Sequence, residues 1–218
     1  MKFRVILADP PWVYADPELV KGAGLASGNA GYQSMDLDAL CRLDVGQVCA
    51  EDCTLFLWTT GPHLADAAPH SLMRAWGFNP RTLVFTWVKL YPRNGAPVQG
   101  PGRYSMSSCE YVMLGVRGHP HRVGRDVPSE MEEPIRTPRG AHSEKPVEVH
   151  RRVERLMGDV PRLEMFARAR RPGWLCIGNA LTGRDIADDL AAVARDELLP
   201  EAGLPLDFTE LGGQGRLW

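Results

Sequence analysis

The feature that most constrains the fold is a short apolar run that ends abruptly in Asp9-Pro10-Pro11-Trp12. Residues 3–8, Phe-Arg-Val-Ile-Leu-Ala, are rich in β-branched and large apolar side chains, which predicts a buried strand. The two prolines end this strand, because neither has an N–H group to donate to a sheet ladder. Asp9 is therefore expected at the carboxyl end of a strand, the edge at which open α/β sheets bind their ligands.

The side chains and carbonyls of this motif suit a planar ligand that carries an amine. The Asp9 carboxylate and the Pro10 carbonyl, which we expect to face the ligand without competing partners, accept its two N–H hydrogens. The Trp12 indole offers a flat surface for the ring. A simpler interpretation is a turn, since Asp before Pro commonly opens one. The complete four-residue run after an apolar strand is more restrictive than Asp-Pro alone and favours the binding site.

Composition narrows the class of protein. The chain has 218 residues, 24% of them charged and 44% hydrophobic, which suits one sizeable globular domain. Its formal net charge is −2, whereas a dedicated nucleic-acid-binding domain is usually basic, so such binding would need a local basic face or a partner. Five cysteines without a Cys-x-x-Cys pair predict reduced cytoplasmic thiols and no zinc cluster. No secretion signal and no membrane-spanning run are found, so we expect a cytoplasmic protein without membrane contact.

The rest of the chain alternates between strand and helix patterns, with no internal repeat. Strands are predicted over Cys53–Trp58, Arg81–Lys89, Cys109–Arg117, Leu163–Ala167 and Trp174–Ile177, and helices over Asp36–Val48, His63–Trp76, Pro146–Met157 and Asp185–Leu198. Strand-helix-strand order implies right-handed crossovers. The expected fold is therefore α/β, with a mostly parallel central sheet, in a single domain over residues 1–218.

Two irregular segments, Leu90–Ser108 and Gly118–His142, are candidates for substrate contacts. The second carries basic side chains at a density that suits phosphate binding, but acids are interleaved, so a merely solvated loop is equally compatible. Its candidate substrate-binding residues are Arg136, Arg139 and His142. Glu110, at the start of a predicted strand, either contacts substrate or is a solvated acid.

Asp9-Pro10-Pro11-Trp12 resembles the Asp-Pro-Pro-Trp motif of the MT-A family, which transfers a methyl group from S-adenosylmethionine to the 6-amino group of adenine. Further matches follow in the family's order and spacing, namely Ser143–Pro146, Leu163–Arg168 and Trp174–Asn179. The resemblance covers about residues 2–181 and leaves a C-terminal helix and tail, 182–218. It implies a three-layer Rossmann-like methyltransferase fold with circularly permuted motif order, the catalytic motif preceding the cofactor motif.

The resemblance also implies individual roles. Lys145 matches the residue that binds the methionine carboxylate of the cofactor, where the alternative is a surface lysine. The other implied cofactor-binding residues are Asp9, Glu164, Phe166, Arg168, Arg170, Gly178 and Asn179. Phe166 is equally compatible with a core position, and Arg170 with a solvated loop. Tyr32, in a segment like the one that follows the catalytic motif in the family, either stacks on the target base or packs on the rim.

The implied activity is N6-adenine methylation of nucleic acid, with DNA ahead of RNA, S-adenosylhomocysteine as the product and no metal. A base in a duplex must be flipped out first. Recognition of the target nucleotide sequence must then come from the two irregular segments or from a second subunit. A homodimer is a further expectation.

Two alternatives remain. A non-catalytic nucleic-acid-binding scaffold subunit would keep the fold, but it has no need of the intact Asp9 and Lys145. A methyltransferase for another amine, such as the cytosine 4-amino group, would need almost the same pocket. The resemblance along the whole chain favours adenine.

Overall fold

The computed structural model describes residues 1–13, 34–100, 105–123, 131–140 and 144–197, and the following concerns these residues. The strands are β1 (Phe3–Ala8), β2 (Cys49–Thr59), β3 (Asn79–Leu90), β4 (Cys109–Arg117), β5 (Ile135–Pro138), β6 (Arg162–Met165) and β7 (Leu175–Ile177). The helices are α1 (Leu37–Cys41), α2 (Gly61–Ala65), α3 (Ala68–Ala75), α4 (Val147–Met157), α5 (Asn179–Thr182) and α6 (Ile186–Ala194), with a 3₁₀ turn at Val45–Val48. Tyr32, His142 and the predicted tail beyond residue 197 lie outside the described residues.

All seven strands belong to one sheet, in the order β5-β3-β4-β2-β1-β6-β7. Strand β4 runs antiparallel to both of its neighbours, β2 and β3, whereas every other pairing is parallel. The prediction of a mostly parallel sheet is confirmed. Because six strands share one direction, their carboxyl ends meet at the same edge as the amino end of β4. This edge collects the residues that follow β1, β6 and β7 together with Glu110.

The sheet lies between two helical layers, as the predicted three-layer fold requires. Side chains alternate along β1, so that Ile6 and Ala8 pack in the core under α1, α3 and α6. Val5 and Leu7 point to the opposite face, where they pack with Val149 and other residues of α4. Burial on both faces explains why β1 is a nearly continuous apolar run.

The structure corrects the predicted single helix over His63–Trp76. Helix α2 ends at Ala65, α3 begins at Ala68, and between them Ala67 adopts a left-handed conformation with φ of +60°. Pro69 explains the break, because it has no N–H group for the carbonyl four residues earlier and suits only the first turn of a helix.

Strand β5 was missed because it lies within the segment predicted to be irregular. It is four residues long and pairs with Trp87–Leu90 at the end of β3. Ile135 is the buried apolar residue of this strand, so the sequence of β5 shows no alternation of apolar and polar residues that would predict a strand. Arg136 is thereby placed on an edge strand of the sheet rather than in a loop.

Candidate active site

Four charged side chains form a chain of alternating sign at the carboxyl edge of the sheet. Lys145 Nζ lies 2.6 Å from Asp9 Oδ2 and 3.3 Å from Glu110 Oε2. Lys89 Nζ lies 3.0 Å from Glu110 Oε1. The Lys145 ammonium also lies 5.3 Å from the centre of the Trp58 ring. The structure thus brings together three residues predicted from the sequence, and it adds Lys89 and Trp58, which the sequence analysis missed.

The two carboxylates of this chain differ in acidity. Burial raises the pKa of Asp9 above its ordinary value, and Glu110 raises it further, while Lys145 and Arg168 oppose the change. Burial also acts to raise the pKa of Glu110, but Lys145 and Lys89 together hold it below its ordinary value. Glu110 therefore carries the more persistent negative charge, and Asp9 is the carboxylate that takes up a proton more easily.

The Lys145 ammonium stays charged in this setting. Burial opposes its charge, but Asp9 and Glu110 outweigh burial and raise the pKa of Lys145 above its ordinary value. Its side chain is 14% exposed, so Lys145 is not completely enclosed by the protein. The Lys145 ammonium lies between two carboxylates, and it can bind the carboxylate of a ligand if it moves away from Asp9.

The carbonyls of the proline pair are not free of partners, which corrects the expectation from the sequence. The Pro10 carbonyl accepts a hydrogen bond from Trp12 N–H at 2.9 Å, and the Pro11 carbonyl accepts one from Met35 N–H at 2.8 Å. A carbonyl oxygen has two lone pairs, so Pro10 retains one acceptor position for a ligand.

Trp12 serves chiefly as an anchor for the motif. Its indole is 9% exposed and donates its N–H to the Trp58 carbonyl at 3.1 Å. The ring stacks on His63 with 4.9 Å between ring centres. One face of the indole is therefore used within the protein, which differs from the open stacking surface that the sequence predicted.

Glu164, on β6, is held through one of its two carboxylate oxygens. Three groups converge on Oε2, namely His150 Nε2 at 3.0 Å, Arg171 Nε at 3.4 Å and Cys176 Sγ at 3.8 Å. Among the described residues no donor reaches Oε1. Glu164 is thus fixed in place with one acceptor available, and neither His150 nor Arg171 was identified from the sequence.

The ends of β6 and β7 approach each other closely around Gly178. A Cβ atom at this position would lie 2.9 Å from both the backbone N and the carbonyl O of Ala167, and its φ is +154°. Ala167 N–H donates to the Ile177 carbonyl at 2.9 Å. Phe166 is 7% exposed and has a φ of +60°, a conformation that aromatic residues rarely adopt. Gly178 is therefore required by the backbone packing itself, and Phe166 is largely a core residue.

The remaining candidates are exposed. Arg168, Arg170 and Asn179 follow β6 and β7 at the same edge, and the Asn179 amide lies 3.5 Å from the Arg184 carbonyl. Arg139 places its guanidinium 5.5 Å from the centre of the Tyr91 ring. These exposed positions are compatible with ligand contacts.

Two further findings concern the described part of the chain. No group of three or more His, Cys, Asp and Glu side chains within it is arranged to hold a metal ion. None of its helices combines the length and apolar character needed to cross a bilayer.

Comparison with known proteins agrees with the motifs. The profile of the family described as MT-A70 matches residues 3–180. A Type II methyltransferase of Mycoplasma sp, M.MunI, is 34% identical over 188 residues, which are 79% of this chain and 75% of the relative. The human N(6)-adenosine-methyltransferase catalytic subunit METTL3 is 28% identical over 190 residues, 86% of this chain and 30% of the relative. The non-catalytic subunit METTL14 of Drosophila melanogaster is 26% identical, over 99% of this chain and 58% of the relative.

Proposed function

The chain belongs to the MT-A70 family, and on that premise we propose that it methylates the 6-amino group of adenine in nucleic acid, using S-adenosylmethionine. The observation that carries the proposal is the 2.6 Å contact between Lys145 and Asp9, the first residue of the Asp-Pro-Pro-Trp motif, at the ligand-binding edge of the sheet. A carboxylate that accepts an amine and a cation that binds a carboxylate are the two groups that substrate and cofactor need.

The residues at this edge fit S-adenosylmethionine. The Lys145 ammonium suits its carboxylate, and the unengaged Glu164 Oε1 suits a ribose hydroxyl. When bound, the cofactor supplies a methyl group on a positively charged sulfonium. We assign Phe166, Gly178 and Asn179 to the walls of its pocket. The loop arginines Arg168 and Arg170 are proposed to contact its polar groups.

In this scheme Asp9 and Pro10 act on the amine of the target base. Its nitrogen is a poor nucleophile, because the lone pair is delocalised into the ring. If Asp9 accepts one hydrogen and the remaining lone pair of the Pro10 carbonyl accepts the other, a pyramidal nitrogen is favoured. As the bond between nitrogen and the methyl group forms and the methyl–sulfur bond breaks, the positive charge that develops on nitrogen is stabilised by the Asp9 carboxylate. The methylated nitrogen then releases one of its two hydrogens as a proton, which gives the neutral product. Holding the nitrogen in line with the transferred methyl group supplies much of the remaining rate enhancement.

Glu110 is proposed to act through the lysines. It contacts both Lys145 and Lys89, at 3.3 and 3.0 Å, so its carboxylate is engaged with the protein. When the Lys145 ammonium moves from Asp9 to the cofactor carboxylate, it can remain in contact with the Glu110 carboxylate. The predicted direct contact of Glu110 with substrate thus becomes, in our proposal, a positioning role.

For the substrate we place DNA ahead of RNA, and we propose a cytoplasmic enzyme that works either as a homodimer or with a second subunit. The scaffold alternative is supported by the similarity to a non-catalytic subunit along nearly the whole chain. The intact Asp9–Lys145 pair favours the catalytic alternative.

The test is transfer of a labelled methyl group from S-adenosylmethionine to single- and double-stranded DNA and RNA, followed by identification of the modified base by mass. We expect N6-methyladenine and saturable cofactor binding by calorimetry. Cofactor binding without transfer to any nucleic acid would support the requirement for a second subunit. Absence of both cofactor binding and methyl transfer would support the scaffold alternative. Formation of 4-methylcytosine would support a methyltransferase for the cytosine 4-amino group.

A further inference from the structure

A cleft lies beside the first turns of helix α4, with strand β5 forming its other wall. Its volume is about 570 Å³, within the range of sites that bind small molecules or single nucleotides. Lys145 belongs to its lining and also contacts Asp9, at 2.6 Å. The cleft and the candidate active site therefore share a residue, so a strand bound in the cleft would lie next to the lysine that contacts Asp9.

The lining of this cleft contains more cationic side chains than carboxylates, and the cationic ones are Arg136, Lys145, Arg151, Arg152 and Arg171. Three of them are already neutralised. Arg152 pairs with Glu133 at 2.8 Å and with Glu148 at 3.0 Å, and the other two contact Asp9 and Glu164.

Arg136 and Arg151 differ from these three. Both are exposed, and within the described part of the chain neither forms an ion pair or a hydrogen bond through its side chain. Arg136 lies on β5 and Arg151 on α4, so they belong to opposite walls. Two uncommitted guanidinium groups that face a common space suit anionic oxygens held between them.

The rest of the lining suits a nucleotide rather than an isolated anion. Pro134, Pro138 and Val147 add apolar surface, and Val147 is 43% exposed. The carboxylates in the lining are Glu132, Glu144 and Glu148, of which Glu148 is engaged by Arg152. A mixed wall of this kind accommodates sugar and base while the two arginines hold the phosphates.

We propose that this cleft binds the sugar-phosphate backbone of the substrate strand beside the target adenine, with Arg136 and Arg151 contacting phosphates from opposite walls. The inference rests on the proposed function and specifies how its substrate is held. S-adenosylmethionine has no phosphate, and its single carboxylate is already assigned to Lys145, so we assign these two arginines to the nucleic acid. Arg136 was a candidate from the sequence, whereas Arg151 is identified by the cleft alone.

The test compares Arg136→Gln, Arg151→Gln and the double variant with wild type. Binding of a fluorescent adenine-containing oligonucleotide is measured by anisotropy at several salt concentrations, and S-adenosylhomocysteine binding by calorimetry. Each single change should weaken oligonucleotide binding several-fold and lower the slope of log affinity against log salt by about one. The double change should weaken it at least about tenfold, with cofactor-product affinity unchanged within about twofold.

Arg81→Gln is the matched control, because Arg81 is an exposed arginine near the amino end of β3, at the opposite edge of the sheet. It should leave the oligonucleotide affinity unchanged. A double variant with wild-type affinity and salt slope overturns the inference. So does a double variant that loses S-adenosylhomocysteine affinity while its salt slope is unchanged, since the cleft would then serve the cofactor. Wild type that neither binds nor methylates any nucleic acid overturns the proposed function as well.

Discussion

The Lys145 ammonium lies 2.6 Å from the Asp9 carboxylate, although 136 residues separate the two in the chain. Each group has a different proposed ligand, the cofactor carboxylate for Lys145 and the adenine amine for Asp9. The pair must therefore open, at least in part, during the reaction. Glu110 makes this possible, since it offers Lys145 a second carboxylate at 3.3 Å.

Replacing Lys145 tests its proposed role in binding the cofactor carboxylate. Lys145→Met removes the cation and keeps most of the apolar stem, so we expect cofactor affinity to fall at least about tenfold, as for loss of a charge-assisted hydrogen bond. Lys145→Arg keeps the charge and should retain part of the affinity. Calorimetry with S-adenosylhomocysteine measures both. Equal affinity of the Met variant and wild type would show that Lys145 serves only the protein.

The pH dependence of methyl transfer should report the ionisation of Asp9. The carboxylate is needed in its charged form, and burial and Glu110 raise its pKa, so activity should fall on the acid side at a pH above the ordinary range of aspartate. Glu110→Gln removes a negative neighbour and should move the acid limb of kcat/KM to lower pH. A limb that moves to higher pH, or does not move, would contradict this assignment.

Glu110 should also affect stability, with a definite sign. Its pKa is lower in the folded protein than in the unfolded chain, so its stabilising contribution is fully present above the ordinary pKa of glutamate. That contribution is lost as the pH falls through the lower, folded value. Urea unfolding should therefore show a larger gap between wild type and Glu110→Gln at pH 7 than at pH 3. A gap of equal size at both pH values would rule out this account.

His150 should influence the cofactor without touching it. Its Nε2 lies 3.0 Å from Glu164 Oε2, so His150→Leu removes one of the groups that fix this carboxylate. We expect a roughly tenfold rise in the KM for S-adenosylmethionine with kcat little changed, as for loss of a hydrogen bond to a charged group. His150→Gln restores a donor and should recover most of the affinity. If Gln and Leu behave alike, His150 has a packing role only.

Gly178→Ala should be destabilising, by about 1–3 kcal/mol, because the new Cβ meets the Ala167 backbone at 2.9 Å in a conformation unsuited to alanine. Gly61→Ala is the control, since nothing lies within 4 Å of a Cβ there. Urea denaturation of the two variants should give clearly different midpoints, and identical midpoints would disprove the close approach of β6 and β7.

Much of the fold could be predicted because local patterns encode it. Strands β1 and β4 have the predicted bounds, and their apolar runs are nearly continuous. Strand β5 could not be predicted, because its stability comes from pairing with β3 and from one buried residue, Ile135. The break at Ala67 depends on Pro69, which lies inside a segment whose apolar periodicity is otherwise that of a single helix.

The site was predictable only in part, for a related reason. Asp9 and Lys145 lie in motifs that can be recognised, but Lys89, His150 and Arg171 act through partners far away in the chain. No spacing rule connects His150 to Glu164, since one lies on a helix and the other on a strand that pack together only in the folded protein. Contacts of this kind require the three-dimensional arrangement.

The most direct test of the central claim is a single-turnover methyl-transfer assay of Asp9→Asn against wild type, with S-adenosylhomocysteine affinity measured on the same preparations. Asparagine keeps the shape of the side chain but removes its charge, so the variant should lose at least about 100-fold in rate, the range typical of removing one transition-state contact. It should remain folded and still bind the cofactor product. An Asp9→Asn variant that forms N6-methyladenine at the wild-type rate would contradict the assignment of Asp9 as the catalytic carboxylate.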